Sequence, residues 1–366
     1  MARKQFLSFL LIFSLLFSCA SALAEADDDD DWDDDVDDAW EMEHPLRSGD
    51  YAYALLDDGT VEITSYGGAD TEIVIPNTLD GKPVTAIGER AFYYSLSLTA
   101  VTIPDSVTRI SQKAFSCCFQ LTSIALPSGL TTIEPGTFDL CKSLTTIDIP
   151  DSVAAIADDA FIGCKALQSF TLSPNHPYFF LADGALCRTA DNMLLFYPNA
   201  REDRTFRIPD GIAAISAYAF YDCDLLESVV IPDSITQIPE RAFYGCSALA
   251  SVSLPDSLTE IGIAAFSFCA ALTDIRIPAS ITEISNHMFS GCTSLATLEI
   301  PDSVTKIGDY AFFGCTSLTS IAIPDSVTAI GNGAFSNCTA LTLTVTPDSY
   351  AAEYAQANGI SYTYVD

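Results

Sequence analysis

Apolar and polar positions along this chain follow one short pattern that recurs many times. In residues 318–323, apolar side chains alternate with small or polar ones, which is the period of two expected of a strand with one buried face. Pro324 cannot donate to a sheet, and Asp325 with Ser326 favours a turn, so the chain is predicted to bend there. Residues 327–330 are predicted to form a second short extended stretch.

The last part of each copy is predicted to form a single helical turn. Asn332 could cap this turn in one copy, and Asp309 in the copy before it. Each copy would then form a coil that stacks on the next at about 4.8 Å. A single coil cannot bury its apolar face, so stacked coils should form continuous internal columns of apolar side chains.

The copies recur at a fixed interval. From Pro209 to Pro347 the proline after the first strand returns every 23 residues, a period within the range of leucine-rich repeats. A phenylalanine marks the predicted helical turn in ten copies: Phe92, Phe115, Phe138, Phe161, Phe220, Phe243, Phe266, Phe289, Phe312 and Phe335. The sequence therefore predicts an α/β repeat solenoid with parallel β-strands and short helical turns.

Nine of the twelve cysteines fall in one column of the repeat. They are Cys118, Cys141, Cys164, Cys223, Cys246, Cys269, Cys292, Cys315 and Cys338, with Ser95 at the same place in the first coil. Stacked equivalents would keep their Cβ atoms about 4.8 Å apart, which is too far for a disulfide. No C-x-x-C pair or histidine column suggests a metal, so these thiols are predicted to pack and to form weak hydrogen bonds. Cys117 and Cys187 lie outside the column and are expected to be the most reactive thiols.

The repeat "IPDSVTKIGDYAFFGCTSLTSIAIP", from Ile300 to Pro324, resembles the BspA-like (Treponema pallidum type) leucine-rich repeat of bacterial surface and secreted proteins. The resemblance covers about residues 49–366. It implies a right-handed superhelix with a hairpin turn at Asp58-Gly59, a first coil enlarged at residues 80–83 and a C-terminal cap of a short helix and a last strand. It also implies a role in adhesion to host proteins, matrix or other cells.

The first 48 residues are predicted to be a leader and a spacer. Residues 1–24 have the basic start, apolar run and small-x-small end of a signal peptide cleaved after Ala24. The alternative is a lipoprotein in which Cys19 carries the lipid. Residues 25–48 form an acidic linker predicted to be disordered, and weak calcium binding by residues 27–38 is left open. The solenoid should then span 49–346 and the cap 347–366.

The 23-residue spacing is interrupted at residues 173–208, where residues that favour turns separate short apolar runs. This segment is predicted to be a protruding β-hairpin excursion, an element that the resemblance also implies. It brings together five aromatic residues: Tyr178, Phe179, Phe180, Phe196 and Tyr197. Packing of these rings onto the solenoid is the favoured interpretation, and an exposed binding patch is the alternative.

Charge and apolar runs exclude several kinds of partner. The formal net charge of −33 would repel nucleic acid and anionic lipid surfaces. After the leader, no segment reaches the roughly 18 consecutive apolar residues of a membrane span. No cofactor is expected, and the chain is expected to be a monomer.

Groups with catalytic potential are few and scattered. The only histidines, His44, His176 and His287, are not spaced for a Ser-His-Asp or Cys-His site. Stacking would align the turn carboxylates Asp210, Asp233, Asp256, Asp302 and Asp325. A row of carboxylates leaves cation binding, or a polysaccharide-degrading enzyme built on a solenoid, as weaker alternatives. The chain is predicted not to be an enzyme.

The outward positions of the first strands are small and mostly neutral, apart from a neighbouring pair of opposite charge, Arg276 and Glu299. The sequence therefore predicts a broad, weak contact surface for an extracellular protein ligand, with a glycan ligand as the alternative. The candidate binding residues are Tyr178, Phe179, Phe180, Tyr197, Arg276 and Glu299.

Overall fold

Short strands, most of them parallel, make up the described part of the chain, residues 45–365 of the computed structural model. In chain order the strands are β1 (Leu46–Ser48), β2 (Tyr51–Leu55), β3 (Val61–Tyr66), β4 (Glu72–Val74), β5 (Thr78–Leu79), β6 (Lys82–Ile87), β7 (Ala100–Thr102), β8 (Arg109–Ile110), β9 (Ser123–Ala125), β10 (Thr132–Ile133), β11 (Thr146–Asp148), β12 (Ala155–Ile156), β13 (Ser169–Thr171), β14 (Phe179–Ala182), β15 (Ala185–Arg188), β16 (Met193–Phe196), β17 (Thr205–Arg207), β18 (Ala214–Ile215), β19 (Ser228–Val230), β20 (Gln237–Ile238), β21 (Ser251–Ser253), β22 (Glu260–Ile261), β23 (Glu283–Ile284), β24 (Lys306–Ile307), β25 (Ser320–Ala322), β26 (Ala329–Ile330), β27 (Thr342–Val345) and β28 (Ser361–Tyr364). One α-helix is described, α1 (Tyr350–Asn358). The predicted fold, a repeat solenoid of parallel strands, is confirmed.

The coils are joined by two columns of parallel strands. In the first column, Ile147 of β11 lies opposite Phe170 of β13, and both side chains are buried while their strand neighbours are exposed. Most strands of the second column have two residues, such as β23, β24 and β26. Residues 274–276 and 297–299 lie at first-column positions but do not form regular strands.

The turn after each first strand explains the Pro-Asp-Ser sequence. Val327 donates its backbone N–H to the carbonyl of Pro324 at 3.0 Å, which closes the turn. The Ser326 hydroxyl donates to the carbonyl of Val304 in the preceding coil at 2.7 Å. The equivalent serine makes the same bond in five other coils, at Ser152, Ser234, Ser257, Ser280 and Ser303. Serine in this column therefore links neighbouring coils.

The segment around each phenylalanine is a run of tight turns and not the predicted helical turn. Gly333 and Asn337 both have positive φ, at 59° and 63°, and a right-handed helix cannot include such residues. Most other coils place residues with positive φ at the same two positions, and many of these residues are not glycine. Some backbone bonds here close turns within the coil, as from Phe313 to Tyr310 at 3.0 Å, and others run between coils, as when Phe312 donates its N–H to Ala334 at 2.8 Å.

The predicted caps also link coils and do not cap their own turns. The Asp309 carboxylate accepts the backbone N–H of Asn332, one coil later, at 2.6 Å. Asn286 does the same for the N–H of Asp309 at 2.9 Å. The cap prediction is wrong because the turn has no free helix N-terminus, so these side chains bond to the next coil.

The phenylalanine column forms the spine of the core. Successive rings stack nearly parallel at centroid distances of 4.7–6.0 Å, except across the insertion. There, Tyr197 takes the place of a phenylalanine and stacks on Phe220 at 5.3 Å, while Phe161 meets Phe196 edge-on at 5.1 Å. The insertion therefore joins the two halves of the core.

The chain starts and ends with elements that do not repeat. β2 and β3 form a hairpin whose turn holds Asp58 and Gly59, and the Asp58 carboxylate accepts the N–H of Thr60 at 2.9 Å. β1 pairs with β2, so residues 46–48 form a strand although the acidic linker was predicted to include them. At the other end, Ser349 caps α1, and β28 pairs with β27. The predicted leader and most of the predicted linker lie outside the described residues.

The insertion is part of the coil stack. β14, β15 and β16 pair antiparallel, and β16 then continues the second column through parallel pairing with β18. Ala185, Leu186 and Cys187 are fully buried. The predicted β-hairpin is present as β14 and β15, but β15 is buried in the coil stack and does not protrude, and β16 fills the place of a normal coil strand.

Candidate binding surfaces

The aromatic residues of the insertion are mostly buried. Phe179, Phe196 and Tyr197 are at most 6% exposed, and Phe180 is half-buried against the core. Only Tyr178 is well exposed, at 44%. Phe179, Phe196 and Tyr197 therefore pack into the core, and Tyr178 is the ring of this set with an accessible surface.

His176 holds the start of the insertion in place. Its Nε2 lies 3.0 Å from the carbonyl oxygen of Pro150, and its Nδ1 accepts the backbone N–H groups of Tyr178 and Phe179 at 3.3 and 3.2 Å. Because Nδ1 accepts, the proton of the neutral ring is on Nε2 and is donated to Pro150. This buried histidine therefore has a structural role that its spacing in the sequence did not indicate.

Arg201 closes the far end of the insertion. Its Nε lies 2.6 Å from the Asp203 carboxylate, and its guanidinium also bonds to the carbonyl of Asp183. The same group lies over the rings of Tyr197 and Phe206, at 5.6 and 6.0 Å from their centroids. One cation therefore connects a turn, a loop and two buried rings.

On the strand face, the structure pairs Arg276 with Asp256 and not with Glu299. The Arg276 Nη1 lies 2.7 Å from the Asp256 carboxylate, and both side chains are exposed. Arg207 and Asp210 form a similar pair at 2.9 Å. Between the two pairs is an open groove of about 540 Å³, lined by Arg207, Asp210, Pro232, Asp233, Pro255 and Arg276 among others. Two carboxylates of the predicted acidic row are thus paired with arginines.

The column cysteines bond to the backbone. Each thiol lies 3.0–3.9 Å from the carbonyl oxygen of the residue at the phenylalanine position one coil earlier, and the pairs are Cys118–Phe92, Cys141–Phe115, Cys164–Phe138, Cys223–Tyr197, Cys246–Phe220, Cys269–Phe243, Cys292–Phe266, Cys315–Phe289 and Cys338–Phe312. Burial raises the pKa of Cys118 and of Cys292 to about 12, so these thiols stay protonated and can donate.

The two cysteines outside the column are also buried. Cys187 is fully buried, and burial raises its pKa to about 12, so the expectation that this thiol is reactive is wrong. Cys117 is 7% exposed, and its thiol accepts a weak hydrogen bond from Ser116 at 3.6 Å. Both are free thiols.

A surface that the sequence did not predict lies on the turns around the phenylalanine column. We call it the aromatic turn face, and its members, from five consecutive coils, are Tyr218, Tyr221, Tyr244, Phe268, His287, Tyr310 and Phe313. Tyr221 stacks on Tyr244 at 4.8 Å, and Tyr244 meets Phe268 edge-on at 5.2 Å. His287 stacks on Tyr310 at 5.1 Å. The signal in the sequence is a large ring two residues before, or one to two residues after, the column phenylalanine.

Three further features concern metal ligands, membrane spans and the remaining histidines. Within residues 45–365, no group of three or more histidine, cysteine or acidic side chains is arranged to hold a metal ion. In the same range, no helix has the length and apolar character needed to cross a bilayer. His44 lies outside the described residues, and burial lowers the pKa of His287, so its ring is neutral near pH 7.

Comparison with known proteins gives a consistent result. The model of the BspA type leucine-rich repeat region matches residues 70–180 and 206–344, with six copies. A leucine-rich cell surface protein from Faecalibacterium prausnitzii A2-165 is 32% identical, with 87% of this chain and 97% of that one covered and a TM-score of 0.50. A leucine-rich repeat protein from Eubacterium ventriosum is 24% identical, covering 79% of this chain and 93% of that one, with a TM-score of 0.60.

A more distant structure shares the fold alone. The pneumococcal vaccine antigen PcpA is 16% identical, with 88% of this chain and 99% of that one covered and a TM-score of 0.56. No curated protein matches the sequence. The family match leaves out residues 181–205, which lie within the insertion.

Proposed function

Because the chain belongs to the family of bacterial BspA type leucine-rich repeat proteins, we propose that it is an exported scaffold that binds other proteins outside the cell. The observation that carries this proposal is the 32% identity, over 87% of the chain, to a protein described as a leucine-rich cell surface protein. Residues 1–24 would direct export, and residues 25–48 would separate the solenoid from its point of release or attachment.

The use of the polar side chains supports binding over catalysis. His176 is occupied by three backbone groups, and the column thiols by carbonyl oxygens. Two turn carboxylates, Asp210 and Asp256, are paired with arginines. Groups that are engaged in this way hold coils together or shape a surface, and none of them is positioned as an activated nucleophile with its base.

A glycan ligand is the second candidate, and less supports it. That hypothesis relied on the insertion aromatics, of which Tyr178 alone is exposed beyond one third. Sugar binding by aromatic stacking requires an accessible ring face. Tyr178→Ala would therefore be the variant that tests it.

The first experiment asks where the protein goes. The full chain is expressed in a bacterium that can lipidate exported proteins, and the mature N-terminus is found by mass spectrometry. A start at Glu25, or a lipidated Cys19, is expected. A chain that keeps Met1 and stays in the cytoplasm would contradict the proposal.

The second experiment asks what the exported protein binds. The purified full chain is immobilised and exposed to a panel of extracellular matrix proteins and polysaccharides. Saturable binding to a protein is expected. Binding to polysaccharides alone, lost in Tyr178→Ala, would instead favour the glycan candidate.

A further inference from the structure

The turns of the two middle coils of the aromatic turn face lack formal charge, whereas Arg241 lies over the Tyr218 ring and Asp309 precedes Tyr310. Residues 262–273 and 285–298 hold no Asp, Glu, Lys or Arg, although 18% of the whole chain is charged. Phe268, Tyr310 and the neighbouring Ile263 are 49%, 40% and 44% exposed. Tyrosine and phenylalanine with few charges are the composition of the core of a protein interface. The surface therefore has the chemistry of a docking site.

Two of the rings pack directly against glycines of the next coil. A Cβ on Gly291 would lie 2.6 Å from a ring atom of Phe268, and a Cβ on Gly333 would lie 2.6 Å from a ring atom of Tyr310. Each ring thus lies over glycine backbone, which leaves its outer edge accessible. A preorganised ring loses little conformational entropy when a partner binds.

Two of these rings stand where the backbone favours glycine. Phe268 and Tyr310 have φ of 60° and 53°. At the equivalent positions other coils have Gly291 and Gly314 for the first, and Gly333 for the second. The backbone at both positions therefore accepts glycine.

The edge of the surface is acidic. Asp222 and Asp224 flank it on one side, where they share Lys165 at 3.3 and 3.0 Å. Glu240 lies nearby, paired with Arg241 at 2.9 Å. Residues 45–366 contain 36 acidic and 14 basic side chains, so the excess negative charge extends beyond the local ion pairs. An acidic partner would be repelled and a basic one attracted.

We propose that the aromatic turn face is the docking site for a protein partner whose contact region has an apolar centre and a basic rim. The inference rests on the proposed binding function and gives it a location and a partner chemistry. Phe268 and Tyr310 are the anchors, and the acidic edge steers the partner into place.

The test uses random peptides displayed on phage and selected on the full chain. The key variant is Phe268→Gly with Tyr310→Gly, which removes both rings where the backbone accepts glycine. The matched control is Tyr94→Gly, because Tyr94 occupies the same repeat position as Phe268, with φ of 62° and 53% exposure, but lies outside the aromatic turn face. Affinities of synthetic versions of the selected peptides are measured at low and high salt.

We expect enrichment of peptides with an apolar centre flanked by Lys or Arg. Their affinity should fall about tenfold or more in the double variant and change less than about twofold in Tyr94→Gly. High salt should weaken binding. Peptides with acidic flanks, peptides that bind the double variant equally well, or no enrichment would overturn the proposal.

Two further measurements separate the alternatives. If sedimentation shows a dimer that dissociates in the double variant, the occupant is a second copy and the basic partner is rejected. If matrix proteins bind the double variant normally but lose binding in Arg207→Ala with Arg276→Ala, the proposed function stands and this docking site is rejected. Absence of binding to any protein would count against both.

Discussion

Between residues 173 and 208 the chain adds polar contacts that each occur once to the repeating columns, whereas after Pro209 the contacts of the strand, phenylalanine and cysteine columns recur from coil to coil. His176 bonds to the carbonyl of Pro150, and Arg201 bonds to the carboxylate of Asp203. In the regular coils, the ring of Phe243 and the thiol of Cys292 each have counterparts in neighbouring coils. The two regions share one core but are stabilised in different ways.

This difference predicts how far the effect of a substitution extends along the chain. In a stacked array, stability is approximately the sum of each coil's own stability and its contacts with two neighbours, so a lost column residue weakens both interfaces. In the insertion, loss of one polar side chain should release a segment while the coils on either side persist. The predictions below test this contrast.

The largest effect is expected from the core of a regular coil. Phe243 is fully buried between Phe220 and Phe266, at 4.7 and 5.4 Å. Phe243→Ala should lower the free energy of unfolding by about 3–5 kcal/mol, because it leaves a cavity and removes two ring contacts. Urea denaturation followed by circular dichroism measures this. Phe268→Ala, a half-exposed ring, is the control and should lose far less.

A smaller and more local effect is expected in the insertion. Arg201→Met keeps much of the aliphatic length but removes the bonds to Asp183 and Asp203, for a loss of about 2 kcal/mol. Amide hydrogen exchange should rise within residues 179–206 and stay unchanged beyond residue 232. Uniformly faster exchange along the whole solenoid would contradict the contrast between the regions.

A pH-dependent effect is expected at a carboxylate inside a regular coil. Burial raises the pKa of Asp139 to about 6. Between about pH 4 and pH 6, Asp139 keeps a proton in the folded protein that it has lost in the unfolded chain. The free energy of unfolding therefore falls as pH rises through this range and stays low above it. Asp139→Asn should therefore gain about 1 kcal/mol at pH 7 and nothing at pH 4.

Thermal unfolding across that pH range measures the effect, with Asp105→Asn as a control of opposite sign. Hydrogen bonds from Ser128 lower the pKa of the Asp105 carboxylate. Its stabilising contribution is present near pH 7 and is lost as pH falls toward the lowered pKa. Asp105→Asn should therefore show no gain at pH 7. A gain in both variants would point to relief of general charge repulsion and not to burial.

The smallest effect is expected in the cysteine column. Cys292→Ser keeps a donor for the Phe266 carbonyl and should change the free energy of unfolding by less than about 1 kcal/mol, while Cys292→Ala should cost about 1 kcal/mol more. Iodoacetamide at pH 8 should leave Cys292 unmodified until the protein is unfolded, as measured by peptide mass spectrometry. Rapid alkylation of the native protein would show that the column is open to solvent.

The repeated part of the fold could be predicted because the positions that are apolar in every copy are the ones buried in every coil. The phenylalanine and cysteine columns recur every 23 residues, so their stacking follows from the spacing alone. The turn conformation could not be predicted in the same way, since Tyr310 and Phe268 gave no local sign of a positive φ. Comparison with Gly314 and Gly333 at the same repeat positions would have indicated it.

Most of the candidate residues in the insertion are buried or half-buried for a physical reason. The insertion drew attention because its aromatics cluster in sequence, yet Tyr197 fills the gap left in the phenylalanine column and is buried. The rings of the aromatic turn face sit at three different offsets from that column, so no single repeat position reveals them. They form two groups of contacting rings, from Tyr218 to Phe268 and from His287 to Phe313, because the turns of adjacent coils lie side by side.

The bonds from each coil to the one before it have a consequence for how such a protein changes length. The thiol of Cys315 needs only the carbonyl of Phe289, and the hydroxyl of Ser326 only that of Val304. Removal or duplication of one whole unit of 23 residues keeps every such pair in register, whereas a gain of 22 or 24 breaks all of them at the junction. A gene that duplicates by whole units would therefore lengthen the reach of the molecule in steps of about 4.8 Å, without redesigning any contact.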